Sequence, residues 1–201
     1  MEHQSPLTPK GIYLKQPIDG SWHTWPWKQV AQEVRQLAGL LQALGLQEHS
    51  HIAMISKNCA HWIICDLAIT MAGQVSIPLY PNQQPDYMQE VLQRSESVLL
   101  FVGKLDNWDE MKTGVPRHIK CISFPFCNND ACVSWSEFND VHASITDNIE
   151  LPATDLCSIE YTSGSGSAPK GVILTFETFA FAAQNAIQRL GGQYTERFCG
   201  T

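Results

Sequence analysis

The clearest periodic signal begins after Thr24. Val30, Val34, Leu37, Leu41 and Leu44 recur at alternating steps of four and three, which places them on one face of a helix. Gly45 is positioned to stop it, as Gly73 is for a second helix over about Ala60 to Ala72. Between them His51 to Ser56 is a short apolar run without helical period, and it predicts a buried strand. Val75 to Leu79 predicts the next strand, ended by Pro78 and Pro81 around Tyr80. The alternation then continues. A helix is expected over Asp86 to Ser95, a strand over Val98 to Val102, a short helix around Trp108 and Met111, and a strand over His118 to Phe124. Pro125 to Asp155 is less regular, with one short helix expected near Ser136 to Val141. Leu156 to Tyr161 predicts a strand, a Gly/Ser loop follows, and Thr178 to Leu190 predicts a final helix.

Helices and near-continuous apolar strands that take turns imply an α/β fold, with a largely parallel sheet covered by helices. No repeat, low-complexity tract or linker divides the chain, so one domain is expected over its 201 residues. The most apolar stretch, Trp62 to Leu79, is interrupted by Asp66, Gly73, Gln74 and Pro78 and makes a poor membrane span.

Composition narrows the function. A hydrophobic share of 44% with 16% charged residues suits a packed core. The net charge of −7, without a Lys/Arg cluster, removes the electrostatic footprint of nucleic-acid binding and of a polybasic membrane anchor. The 7 cysteines are scattered and follow a polar start, Met-Glu-His-Gln-Ser-Pro, so reduced cytosolic thiols are expected. Cys121, Cys127 and Cys132 lack the short spacing of zinc pairs, and no metal ligands are assigned.

Candidate chemistry is concentrated in Tyr161-Thr162-Ser163-Gly164-Ser165-Gly166-Ser167-Ala168-Pro169-Lys170-Gly171. Glycines let the backbone approach a phosphate chain, successive N–H groups and hydroxyls donate to it, and Lys170 supplies a point charge. The loop lacks the Gly-Lys-Ser/Thr ending of a Walker A motif. On composition alone, a ligand-free surface loop explains it equally well.

The segment resembles the phosphate-binding loop of adenylate-forming enzymes, Tyr-Thr-Ser-Gly-Thr/Ser-Thr-Gly-x-Pro-Lys-Gly. Tyr161, Thr162, Ser163, Gly164, Ser165, Pro169, Lys170 and Gly171 match it, and Val172-Ile173-Leu174-Thr175 follows as in that family. Upstream, Trp25 to Leu46 is similar to the family's first helix. Ser56-Lys57-Asn58-Cys59-Ala60-His61-Trp62 and Ala72-Gly73-Gln74-Val75-Ser76-Ile77-Pro78-Leu79-Tyr80-Pro81 resemble stretches of bacterial long-chain fatty acid:CoA ligases. Trp25, Trp27, Trp62 and Tyr80 are read as core packing.

The resemblance implies ATP-dependent activation of a long-chain fatty acid to acyl-adenylate and then acyl-CoA, with ATP and Mg²⁺ as cofactors and fatty acid and CoA as substrates. Thr162, Ser163, Gly164, Ser165 and Lys170 would contact the ATP phosphates, with Gly166 and Ser167 as altered members, and none is a general base or nucleophile. A shorter-chain or aryl-CoA ligase and a non-catalytic nucleotide- or partner-binding module remain alternatives. Gly166-Ser167 replaces the family's Thr-Gly. That costs about 0.5–1.5 kcal/mol for a lost donor, and roughly 1–2 kcal/mol of strain if Ser167 takes positive φ. Phe176 stands where the family often has His. Glu196-Arg197-Phe198 begins a family segment that Cys199-Gly200-Thr201 does not continue. The expectation is therefore an incomplete N-terminal AMP-binding domain without the C-terminal domain, inactive alone and prone to self-association through an open core face. It would be cytoplasmic, with peripheral contact to the inner membrane left open.

Overall fold

The computed structural model describes residues 10–127, 129–130, 132–138, 150–162 and 168–190. Strands β1 (Ile12–Ile18) and β2 (Ser21–Pro26) form an antiparallel hairpin. Then follow α1 (Trp27–Ala43), β3 (His51–Ile55), α2 (Ala60–Met71), β4 (Val75–Leu79), α3 (Pro85–Arg94) and β5 (Leu99–Val102). The chain continues with α4 (Trp108–Met111), a 3₁₀ turn at Lys112–Gly114, β6 (Lys120–Ser123), α5 (Trp135–Phe138), β7 (Leu156–Thr162), β8 (Lys170–Thr175) and α6 (Phe176–Leu190). The main sheet has the order β6-β5-β3-β4-β7-β8. It is parallel throughout except for the β7–β8 pair.

Strand alternation sorts the core into two layers. Ile52 and Met54 of β3, Leu99 and Phe101 of β5 and Ile122 of β6 pack with Val30, Val34, Leu37 and Leu41 of α1 and Ile64 and Ala68 of α2. Their sequence neighbours Ala53, Ile55, Leu100 and Val102 point the other way. There they join Val75, Ile77 and Leu79 of β4 with Met88, Val91 and Leu92 of α3 and Trp108 and Met111 of α4. Val30, Val34, Leu37 and Leu41 of the period read from α1 are thus the buried stripe, each worth roughly 1.5–3 kcal/mol of burial, whereas Leu44, the last member read, caps the helix and is exposed.

Helix α2 ends as expected. Gly73 takes φ +75, its N–H reaches the Thr70 carbonyl at 3.1 Å, and the Gln74 N–H reaches the Ile69 carbonyl at 3.0 Å. These are the paired bonds of a Schellman ending. Helix α3 ends with the same bonds, Glu96 to Gln93 at 3.1 Å and Ser97 to Leu92 at 3.1 Å, but with Glu96 at φ +49. A side chain there is strained, so Glu96→Gly is expected to raise the free energy of unfolding by about 1 kcal/mol, read from the urea midpoint.

Some expectations need correction. The first helix starts at Trp27, because Trp25 and Pro26 close the unexpected β1–β2 hairpin, where Trp25 pairs with Leu14. Trp25 is buried as read, and Trp62 and Trp27 are half-buried. Tyr80 is not core: it is 64% exposed, just past the end of β4. The run Val172 to Leu174 belongs to strand β8, antiparallel to β7, and Val172 and Ile173 are exposed. The short helix near Ser136 is found at Trp135–Phe138, and the rest of that expected element lies outside the described residues.

Candidate functional site

In an open parallel sheet the strand carboxyl ends are where loops can converge on a ligand. Register puts Ile55, Leu79 and Val102 side by side at that edge, with Ser123 beside Val102. The loops leaving these strands are bonded to each other. The Ser56 hydroxyl accepts from the Lys104 N–H at 3.0 Å and donates to the Lys57 carbonyl at 2.6 Å. The Gly103 N–H donates to the Ile55 carbonyl at 2.8 Å, and the Lys57 N–H to the Lys104 carbonyl at 2.9 Å. Asn129 Nδ2 donates to the carbonyls of Val102 at 3.0 Å and Gly103 at 3.1 Å. Lys57 and Asp106 form an exposed ion pair. The sequence marks Ser56 only as the first residue of a family-like stretch and does not single out Gly103 or Asn129, because the Lys104, Ile55 and Val102 groups they meet lie tens of residues away.

Strand β7 extends this edge, and its last residue, Thr162, stands directly opposite Lys170, the first residue of β8. Both are exposed at the open end of the hairpin. Of the expected site residues, the structure therefore brings Thr162 and Lys170 together, while Ser163, Gly164, Ser165, Gly166 and Ser167 lie outside the described residues. Pro169, next to Lys170, is buried and anchors the returning strand. Tyr161 faces the α3-side core, and burial pushes its phenol pKa up, so it serves as an anchor for the hairpin. Gly171 sits over that core: a Cβ there would meet Ile159 Cγ2 at 2.8 Å.

The donor set at the hairpin mouth is a hydroxyl and an ammonium, which suits an anion better than a cation. Among the described residues no group of three or more His, Cys, Asp or Glu side chains is placed to hold a metal ion. No helix among them is long and apolar enough to cross a membrane.

A parallel sheet with Thr162 and Lys170 at its carboxyl edge agrees with the resemblance read from the sequence. The chain belongs to the AMP-binding enzyme family, which it matches over residues 2–201. It is 29% identical, over 177 residues, to the long-chain-fatty-acid–CoA ligase FadD15 of Mycobacterium bovis, covering 83% of this chain and 29% of that protein. It is 27% identical over 173 residues to long chain acyl-CoA synthetase 1 of Arabidopsis thaliana, covering 79% of this chain and 26% of that one. The chain thus spans less than a third of the length of these curated relatives. Among solved structures, the anthranilate CoA ligase AuaEII in complex with anthranoyl-AMP superposes with a TM-score of 0.76 at 18% identity, over 91% of this chain and 35% of that one. The α/β fold expected from the alternation of elements is the fold found.

Proposed function

We propose that this chain carries the ATP-phosphate-binding part of an acyl-CoA ligase acting on long-chain fatty acids. The observation that carries this reading is the pairing of Thr162 with Lys170 at the open end of the β7–β8 hairpin, within a chain of the AMP-binding family. In the reaction a fatty acid carboxylate attacks the α-phosphate of ATP and pyrophosphate leaves. CoA thiol then displaces AMP from the acyl-adenylate.

The role of these residues is electrostatic. The Thr162 hydroxyl and the Lys170 ammonium would donate to the outer phosphates, with the backbone and hydroxyls of Ser163 to Ser167 completing the cradle. Charge is stabilised where it accumulates as the pyrophosphate departs. Mg²⁺ would arrive on the phosphate oxygens, where it neutralises charge; no residue described here is assigned to it. Thr162 and Lys170 orient the phosphate chain and neither transfers a proton. The pairing across two hydrogen-bonded strands fixes their spacing before the nucleotide arrives, which lowers the ordering cost of binding.

The long-chain assignment rests on the relatives named above, and an aryl acid is the second reading, favoured by the superposition on an anthranilate ligase. Val172 and Ile173 of β8 and Phe179, Phe181 and Ile187 of α6 are exposed on more than one face, and the chain is proposed to self-associate through such uncovered apolar side chains. The chain matches 29% of the length of FadD15, so ATP binding is proposed for these 201 residues and the two-step ligation for the whole enzyme of that family.

Hydrogen exchange with and without ATP tests the assignment. Amides of Tyr161, Thr162, Lys170 and Gly171 should gain protection on ATP addition, with those of α1 unchanged. Protection absent from the hairpin, or equal across the chain, would remove the basis for the proposal.

A further inference from the structure

Beyond the end of β6 the chain returns and lays Val133 beside Ile122 in a parallel bridge. The Val133 N–H donates to the Cys121 carbonyl at 2.9 Å, and the Ser123 N–H donates to the Val133 carbonyl at 2.9 Å. A parallel register that sets 133 against 122 sets Cys132 against Cys121. Alternation then sends the two cysteine side chains to the same side of the sheet. The packing agrees: Ile122 and Val133 lie in the core layer of α1 and α2, while Cys121 and Cys132 both pack on the layer of α3 and α4. The two thiols are hydrogen-bonded to each other and only half-buried.

We propose that Cys121 and Cys132 form a reversible disulfide, a modification site that staples the returning segment to the outer edge of the main sheet. Adjacent strands stand about 4.8 Å apart, inside the Cα separation that a disulfide spans, roughly 4.4–6.8 Å. The bridge therefore closes without moving either strand far. It encloses a loop of about a dozen residues and adds a covalent link to a segment already held by the Val133 bridge and by the Asn129 bonds to Val102 and Gly103.

The hydrogen bond from Cys132 holds the Cys121 thiol below the ordinary thiol range, and the same bond, with burial, pushes Cys132 up. Attack by the Cys121 thiolate and the mirror step from Cys132 give the same disulfide. With a low-molecular-weight disulfide as oxidant, Cys121 Sγ attacks one sulfur, the other leaves as a thiolate, and a mixed disulfide forms. Cys132 then loses its proton and attacks Cys121 Sγ, and the second small thiol departs. The dithiol has been oxidised by two electrons and the small disulfide reduced to two thiols. Other cysteines are less suited. Burial pushes Cys127 up to about 11, raises Cys59 and raises Cys65 well above its ordinary value.

The test is treatment of the folded full chain with oxidised glutathione, acid quench, alkylation and non-reducing peptide mapping. The expected result is a Cys121–Cys132 cross-link, with the titratable thiols of the unfolded product reduced by two and recovered on adding dithiothreitol. In Cys132→Ser, glutathione should remain trapped on Cys121. In Cys121→Ser, glutathione should likewise remain trapped on Cys132, and neither variant should form the cross-link. A cross-link mapped to Cys59 and Cys127 instead, or Cys121 and Cys132 both alkylated after exposure that oxidises free thiols, would overturn the proposal.

Discussion

Gly103→Ala is expected to lower the stability of the chain by about 3 kcal/mol, near the top of the range for overpacking a tight site. A Cβ at this position would lie 2.2 Å from Ser56 Oγ, 2.5 Å from Ser56 Cβ and 2.6 Å from Phe124 Cδ2. Rotating the Ser56 hydroxyl relieves only the first contact and breaks its bond to the Lys104 N–H. Phe124 cannot retreat, since it is fully buried against Phe101 at 6.0 Å between ring centroids. The loops after β3 and β5 would therefore be pushed apart at the sheet edge that bears the candidate site. Equilibrium urea unfolding measures the loss. A change under 0.5 kcal/mol would show that the edge is looser than described, since substitutions without such clashes usually fall within about that range.

The second large effect is a dependence on pH centred on His61. Its ring is buried among Trp25 at 5.8 Å, Trp135 at 5.7 Å and Phe126 at 5.9 Å between centroids. Burial pushes its pKa down from 6.5 to about 4. The unfolded chain takes up a proton near pH 6.5 and the folded chain only near pH 4, so between these values the unfolded state binds more protons. Stability is therefore full above pH 6.5 and falls as pH drops toward 4. The shift corresponds to roughly 3 kcal/mol. Glu33, 3.7 Å from His61, works against it, because burial raises its carboxyl pKa and so relieves a cost on acidification. A net loss of about 2 kcal/mol between pH 7.5 and pH 4.5 is expected. His61→Gln should flatten that slope, and an unchanged slope in the variant would assign the acid sensitivity elsewhere.

The fold was legible where burial dictates pattern. The face Val30, Val34, Leu37, Leu41 and the stop at Gly45 needed only local spacing, and the apolar runs at β3, β4 and β5 are strands buried on both sides. The β1–β2 hairpin was not legible. Its turn, Asp19-Gly20, has the right chemistry, but most of the strand residues are at least partly exposed and give no apolar alternation. Tyr80 misled for a related reason: an aromatic beside Leu79 and Pro78 looks like core until the strand end is located, and β4 stops at Leu79.

The candidate site was legible as a motif and not as a geometry. Tyr161 to Gly171 has its own composition signal, and the structure adds that Thr162 and Lys170 face each other across a hairpin. The support beneath it was not legible. Ser56 and Lys104 meet only because β3 and β5 are neighbours in the sheet, and Asn129 reaches the Val102 carbonyl from a segment without regular pattern.

The central claim, that Thr162 and Lys170 hold the outer phosphates of ATP, is tested most directly by comparing ATP and AMP binding to the chain and to Lys170→Ala by equilibrium titration at fixed salt. A hydrogen bond to a charged group is worth about 1.5–3 kcal/mol. The account therefore predicts that the variant loses ATP affinity by about tenfold or more while AMP binding, which lacks the outer phosphates, changes less than about twofold. Equal losses for both nucleotides, or no loss for ATP, would contradict it.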